Sequence, residues 1–86
     1  MQLVYSAGFL KSLSRFPDKI QKKTASLLMI LQNNPFHPLL HTKKLTGALA
    51  GFFSFRITRD YRIIFEFADP NTIRLIRAAN RKEIYR

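Results

Sequence analysis

The sequence predicts an α+β fold in which a two-helix hairpin packs on one face of a small antiparallel β-sheet that includes an N-terminal strand. Apolar residues recur at helical spacing in the first part of the chain, and they alternate with polar residues in the second part. The third observation is length, because 86 residues suffice for only one core. We therefore expect a single domain over residues 1–86.

The first part of the chain predicts a strand followed by the helical hairpin. Gln2–Tyr5 is a short strand, and Ser6 is a suitable N-cap for the first helix. One face of that helix carries Phe9, Leu10, Leu13 and Phe16. Pro17 ends it and begins a second helix, whose apolar side carries Ile20, Leu27, Leu28 and Leu31. The short connection favours antiparallel packing of the two helices.

The second part of the chain predicts a long loop and a three-stranded meander. Residues 34–50 hold two prolines, a glycine and both histidines without a regular period, which indicates a loop. Apolar and polar residues alternate in 53–58 and again in 61–67, so each segment is predicted as a half-buried strand. A third strand, 72–79, follows the turn Asp69-Pro70-Asn71.

One face of the predicted sheet is expected to be open. The hairpin covers only the side to which Phe53, Phe55 and Ile57 point. Arg56 and Arg62 fall on the opposite side, which is then left to solvent or to a partner.

The charge of the chain indicates a polyanionic partner. Fifteen basic and five acidic residues give a net charge of +10, and residues 43–86 alone carry +6. Such a charge destabilises a compact fold by self-repulsion, which an acidic partner relieves. RNA, DNA, an anionic membrane surface and an acidic protein all meet this requirement.

Composition also excludes several classes of site. The chain contains no cysteine, so it has neither a disulfide framework nor a thiolate metal site. No apolar run approaches the roughly 18 residues of a membrane span, and no signal segment is evident. His37 and His41 lie in the long loop near Lys43 and Lys44, where either could act on a substrate as an acid or base. An ordinary loop histidine is the plainer interpretation of each, and without a carboxylate cluster beside them they do not make a convincing metal site. We expect a cytoplasmic protein with no cofactor, no metal and no membrane partner.

Four segments stand in order in the second half of the chain and end in a short basic tail. They are Lys43-Lys44-Leu45-Thr46-Gly47, Gly51-Phe52-Phe53-Ser54-Phe55-Arg56-Ile57, Asp60-Tyr61-Arg62-Ile63-Ile64-Phe65-Glu66 and Asn80-Arg81-Lys82-Glu83-Ile84-Tyr85-Arg86. This series resembles the RelE/ParE superfamily of toxins. The resemblance covers residues 43–86, and the preceding strand and helical hairpin fit the same RelE-like fold.

The resemblance implies a toxin of a type II toxin–antitoxin pair, with an acidic cognate antitoxin as its partner. RelE-like members enter the ribosomal A site and cleave mRNA, whereas ParE-like members poison DNA gyrase. The tail resembles that of the ribonuclease branch, in which arginine and aromatic residues belong to the active site. Many members carry a histidine where this chain has Asn80, and an asparagine side chain cannot exchange a proton at neutral pH.

RNA cleavage without a metal uses the ribose 2′-hydroxyl as nucleophile, so the extra negative charge on the phosphate must be stabilised. Guanidinium groups suit this task because they stay charged and hold two oxygens in a planar fork. Tyr85 is a candidate for proton transfer or base stacking. The predicted catalytic set is Arg56, Arg62, Arg81 and Tyr85, and the predicted RNA-binding set is Lys43, Lys44, Arg59, Asn80 and Lys82.

Plainer roles compete with these assignments. Arg56 and Arg62 also suit a solvated sheet face, and Tyr85 also suits packing against the sheet edge. Glu66 is expected to pair with an arginine rather than to act as a base. Two other functions stay open: a ParE-like gyrase inhibitor, and a degenerate RNA-binding homologue without catalysis, to which Asn80 points.

Overall fold

A computed structural model describes residues 1–84 of the chain. Its five-stranded sheet has the spatial order β1-β5-β4-β3-β2. The strands are β1 Gln2–Tyr5, β2 Lys43–Lys44, β3 Phe53–Arg56, β4 Tyr61–Asp69 and β5 Thr72–Asn80, and the helices are α1 Ala7–Leu13, α2 Asp18–Asn33 and α3 Arg81–Ile84. The predicted α+β fold, with its N-terminal strand and helical hairpin, is confirmed. Within the described residues, no helix has the length and apolar character needed to span a bilayer.

The sheet differs from the prediction at both of its edges. Strand β1 pairs with β5 in parallel, with Gln2 opposite Thr72, while the other pairs are antiparallel. Strand β2 lies in the segment predicted as a loop, where Lys43 and Lys44 pair with Ser54 and Phe53. Both lysines are exposed, so this two-residue strand joins the sheet through its backbone. It could not be predicted from the sequence, because it lacks the alternation of apolar and polar residues that indicates a strand.

The main core lies between the helices and one face of the sheet. Its largest fully buried side chains include Phe9 of α1, Leu31 of α2, Phe55 of β3 and Phe65 of β4. Leu10, predicted to share the apolar face of α1, is instead 53% exposed. The side of α1 that meets the sheet is centred on Phe9 and Ser12, and Leu10 lies about 100° from Phe9 around the helix axis.

Two serine hydroxyls attach α1 to β5. Ser12 Oγ accepts a 2.8 Å hydrogen bond from the backbone N–H of Ala78, and Ser6 Oγ donates to the carbonyl of Ile76 at 3.0 Å. Ser6 Oγ also accepts from the N–H of Phe9, so the predicted N-cap is confirmed. The register of β5 shifts next to this attachment, because Arg77 lies opposite Ile64 while Leu75 lies opposite Phe65. Ile76 is thereby the extra residue of a bulge.

A second apolar cluster covers part of the face that was expected to be open. It consists of Leu45, Ile64, Ala79 and Ile84, with Leu49, Phe52 and Ile76 packed against it. The segment after β2 and helix α3 both fold over this side of the sheet. Gly47 and Gly51 allow that path, since their φ angles of 65° and 96° are rarely adopted by other residues. The expectation of a wholly open face is wrong, because α3 and a loop cover its middle.

We expect Ser12→Ala to lower the free energy of unfolding by about 1–2 kcal/mol, because the N–H of Ala78 loses its hydrogen-bond acceptor. Urea denaturation followed by circular dichroism measures the change. Ser14→Ala is the matched control, since Ser14 Oγ bonds only the exposed carbonyl of Lys11. Equal effects of the two substitutions would show that the bond to Ala78 does not hold α1 on the sheet.

Candidate nucleic-acid interface

Two of the predicted arginines face each other on neighbouring strands. Arg56 of β3 and Arg62 of β4 are cross-strand partners, and both side chains are half-buried. Directly opposed like charges destabilise a sheet, and an anion bound between them relieves the repulsion. On its other side Arg62 lies opposite Ala79 of β5, which belongs to the second apolar cluster. The pair therefore borders the covered part of the face.

The tail starts beside the same arginines. The backbone N–H of Arg81 donates to the carbonyl of Asp60 at 2.8 Å, which fixes the first residue of α3 at the turn between β3 and β4. Ile84, at the other end of α3, is 8% exposed and packs in the second cluster. The side chains of Arg81 and Lys82 are exposed. Tyr85, predicted to be catalytic, lies outside the described residues.

Asn80 has a structural role at this point. Its Oδ1 accepts a 3.0 Å hydrogen bond from the backbone N–H of Lys82, so Asn80 is the N-cap of α3. Its backbone pairs with Tyr61 at the end of β4. The residue that the family resemblance marked as a departure thus connects the sheet to the tail helix. Sequence reasoning treated it as an RNA ligand and as a replacement for the family's histidine, and did not predict this cap.

The predicted lysines lie on the same side of the molecule as the tail. Lys43 and Lys44 form the edge strand β2 and are exposed. A cavity of about 210 Å³ separates them from α3, and it is lined by both lysines, Leu45, Thr46, Leu49 and Ile84. Ile84, the residue that precedes Tyr85, therefore lies across this cavity from β2.

Two acidic residues near this surface are engaged by other arginines. Glu66 accepts from Arg74 at 3.0 Å, which confirms the expectation that it pairs with an arginine, and Glu83 accepts from Arg77 at 2.6 Å. All four side chains are substantially exposed, so each pair contributes only about 0–1 kcal/mol. Both arginines lie outside the predicted catalytic set. Among residues 1–84, no group of three or more His, Asp or Glu side chains is placed to hold a metal ion.

The two histidines differ in their surroundings. Nδ1 of His37 accepts a 3.1 Å hydrogen bond from the N–H of Leu39 and caps the 3₁₀ turn Pro38–Leu40. His41 has a left-handed backbone, with φ 48°, and lines a larger cavity together with Arg56 and Arg59. The sequence singled out Arg59 as an RNA ligand but contained no signal for this cavity, because its walls come from segments far apart in the chain.

Comparison with known proteins gives matches among solved structures only. No family model and no curated protein matches the sequence. The RelB-RelE antitoxin-toxin complex of Methanococcus jannaschii is 28% identical, with 95% of this chain and 94% of that chain covered and a TM-score of 0.75. YafQ from E. coli strain BL21(DE3) is 20% identical, with 99% and 98% covered and a TM-score of 0.79. A YoeB/ParE toxin from Agrobacterium tumefaciens is 23% identical, with 93% and 98% covered and a TM-score of 0.78.

These matches extend over nearly the whole chain in each case. The strand, the helical hairpin and the sheet of this protein are therefore the common architecture of the three solved proteins. At these identities the match establishes the fold, while the roles of individual side chains depend on the geometry described above.

We expect Asn80→Ala to increase amide hydrogen exchange of residues 82–84 about fivefold, equivalent to the roughly 1 kcal/mol contributed by an N-cap. Hydrogen exchange measured by NMR resolves these amides. Asn80→Ser is the matched control, because serine also caps helices and should keep the native exchange rates. Unchanged exchange in the alanine variant would show that the cap does not hold α3.

Proposed function

Since this chain has the fold of the RelE/ParE toxin superfamily, we propose that it is the toxin of a type II toxin–antitoxin pair and a metal-independent endoribonuclease acting on mRNA. The observation that carries the nuclease assignment is the opposed pair Arg56 and Arg62 beside the start of the tail. Two guanidinium groups carried by directly opposed residues of the sheet suit a phosphate whose charge rises during reaction.

In the proposed reaction the ribose 2′-oxygen loses its proton and attacks the adjacent phosphorus. The bond from phosphorus to the 5′-oxygen breaks, that oxygen takes up a proton, and a 2′,3′-cyclic phosphate remains. Arg56 and Arg62 stabilise the extra charge on the phosphate, and Arg81 adds a third guanidinium from the tail. Tyr85 is assigned to proton transfer or base stacking.

The exposed basic residues are assigned to binding rather than to chemistry. Lys43 and Lys44 on β2, Arg59 in the turn and Lys82 on α3 present charge to an RNA backbone, and Asn80 supports them by capping α3. Their distribution around the arginine pair fits an mRNA held within the ribosome in the cytoplasm. Ribosomal RNA supplies further phosphates for the remaining positive charge.

A cognate acidic antitoxin is the proposed protein partner. The net charge of +10 favours an acidic partner, because such a partner relieves the self-repulsion of the toxin. The Methanococcus jannaschii relative was solved as a complex of antitoxin and toxin, which supports a partner of the same kind here. An acidic segment that covers the arginine pair would block access of RNA.

We expect Arg62→Ala to lower mRNA cleavage by about 10²- to 10³-fold, as removal of one charge-stabilising donor does in other enzymes. Primer extension on translated mRNA in vitro measures cleavage directly. Arg74→Ala is the control, because it removes the same charge from the same sheet at the ion pair with Glu66. Equal activity of the two variants would remove Arg62 from the mechanism.

Intact mRNA after induction of the wild-type chain, together with arrested growth, would overturn the nuclease assignment. Supercoiling assays with purified gyrase then separate the remaining functions. Inhibition of gyrase identifies a ParE-like toxin, and salt-sensitive RNA binding without cleavage identifies a degenerate homologue.

We also expect the product of the neighbouring reading frame to be acidic and to co-purify with this chain. Coexpression followed by size-exclusion chromatography measures the association, and growth recovery measures neutralisation. Isolation of this chain alone after coexpression would contradict the proposed partner.

A further inference from the structure

A cavity of about 500 Å³ opens at the edge of the sheet beside the arginine pair. Strand β2 pairs only with Phe53 and Ser54, so the rest of β3 has no strand on its outer side within the described residues. The segment before β2 contributes Leu39 and His41 to the wall of this cavity, and helix α2 contributes Lys23 and Leu27.

The charged lining of this cavity is cationic. Lys23 of α2, Arg56 of β3 and Arg59 of the following turn line it together with His41 and the neutral Thr58, and none of the described lining residues is acidic. Three cations around one concave space repel each other, and the low dielectric of the walls strengthens that repulsion. The arrangement is therefore matched to an anion.

The remaining wall is apolar. Leu27 and Ile57 are buried at 8% and 3% exposure, whereas Leu39 at the rim is 61% exposed. A simple phosphate makes no favourable contact with this apolar wall. A flat ring attached to a phosphate packs against it. A nucleotide combines both chemistries.

The backbone of His41 fixes one part of the cavity wall. Its φ of 48° and ψ of 45° place it in the left-handed region, where it is the C-cap of the 3₁₀ turn Pro38–Leu40. Helices commonly end in a left-handed residue of this kind. The N–H of His41 is held by the carbonyl of Pro38 at 3.3 Å.

We propose that this cavity is a nucleotide subsite for the RNA substrate, next to the position where the reacting phosphate meets Arg56 and Arg62. The inference rests on the proposed function for the class of substrate. Lys23 and Arg59 bind the backbone phosphate of the neighbouring nucleotide, and its base lies against Leu39. Arg56 contacts both the reacting phosphate and the neighbouring nucleotide, and so determines the distance between the two.

The test measures binding of a fluorescent 2′-O-methyl RNA trinucleotide to the purified full chain. This probe lacks the attacking hydroxyl, so binding is measured without cleavage. We expect Lys23→Ala to weaken binding about threefold to tenfold and to reduce the slope of log K against log salt by about 0.7, the value for one phosphate contact on a single strand. Lys22→Ala is the matched control, because Lys22 is exposed on α2 and does not line the cavity.

A second comparison tests the base position. We expect Leu39→Ala to weaken the trinucleotide about threefold, from the loss of roughly 30 Å² of apolar contact, and to leave an abasic analogue unaffected. Leu10→Ala is the control, since Leu10 is similarly exposed on α1 and far from the cavity. Both positions are on the surface, so the variants should fold, and thermal melting checks this.

Equal effects of Lys22→Ala and Lys23→Ala would overturn the subsite. It would also be overturned if Lys23→Ala weakened a hexaglutamate peptide as much as RNA, because the cavity would then serve an acidic protein. If Lys23→Ala and Leu39→Ala do not weaken binding of the trinucleotide but the wild-type chain cleaves mRNA, only this inference is wrong. If the two substitutions weaken binding of the trinucleotide but the wild-type chain does not cleave mRNA, the subsite stands and the proposed nuclease activity is wrong.

Discussion

The hydrogen bond from the N–H of Ala78 to Ser12 Oγ joins the first helix to β5, the strand on which most of the structure is assembled. Strand β5 carries α1 through this bond, pairs with β1 and β4 along its two sides, and continues directly into α3. The pairing of Asn80 with Tyr61 and the bond from the N–H of Arg81 to the carbonyl of Asp60 place the start of the tail relative to the arginine pair. The geometry of the candidate interface therefore depends on the register of β5, the strand to which α1 is attached.

The candidate interface combines an unfavourable charge arrangement with an apolar support. Arg56 and Arg62 oppose each other, which costs stability in the free chain. The second apolar cluster, with Ile84 from the tail and Leu45 from the segment after β2, holds the surrounding elements in place despite that cost. An anion bound between the two arginines interacts favourably with both guanidinium charges.

Periodicity predicted most of the secondary structure, because α1, α2 and the three central strands each bury one apolar side, and β1 half-buries Leu3. It could not predict β2, whose two lysines face solvent, or the parallel direction of β1, since both depend on backbone pairing. The position of both arginines on one face followed from alternation, whereas their direct pairing and the cap formed by Asn80 required the structure. The cavity beside Arg56 was beyond sequence reasoning, because Lys23 and His41 meet there only through the tertiary fold.

The two edges of the sheet have different capacities to recruit another β-strand. At β2 an incoming strand would meet two lysines on a segment only two residues long, a combination that natural sheets use to prevent edge-to-edge aggregation. At β1 the edge is four residues long and uncharged, with Val4 and Tyr5 exposed at 41% and 48%. Growth of the sheet by a sixth strand is therefore directed to β1, on the side of the molecule remote from the lysines.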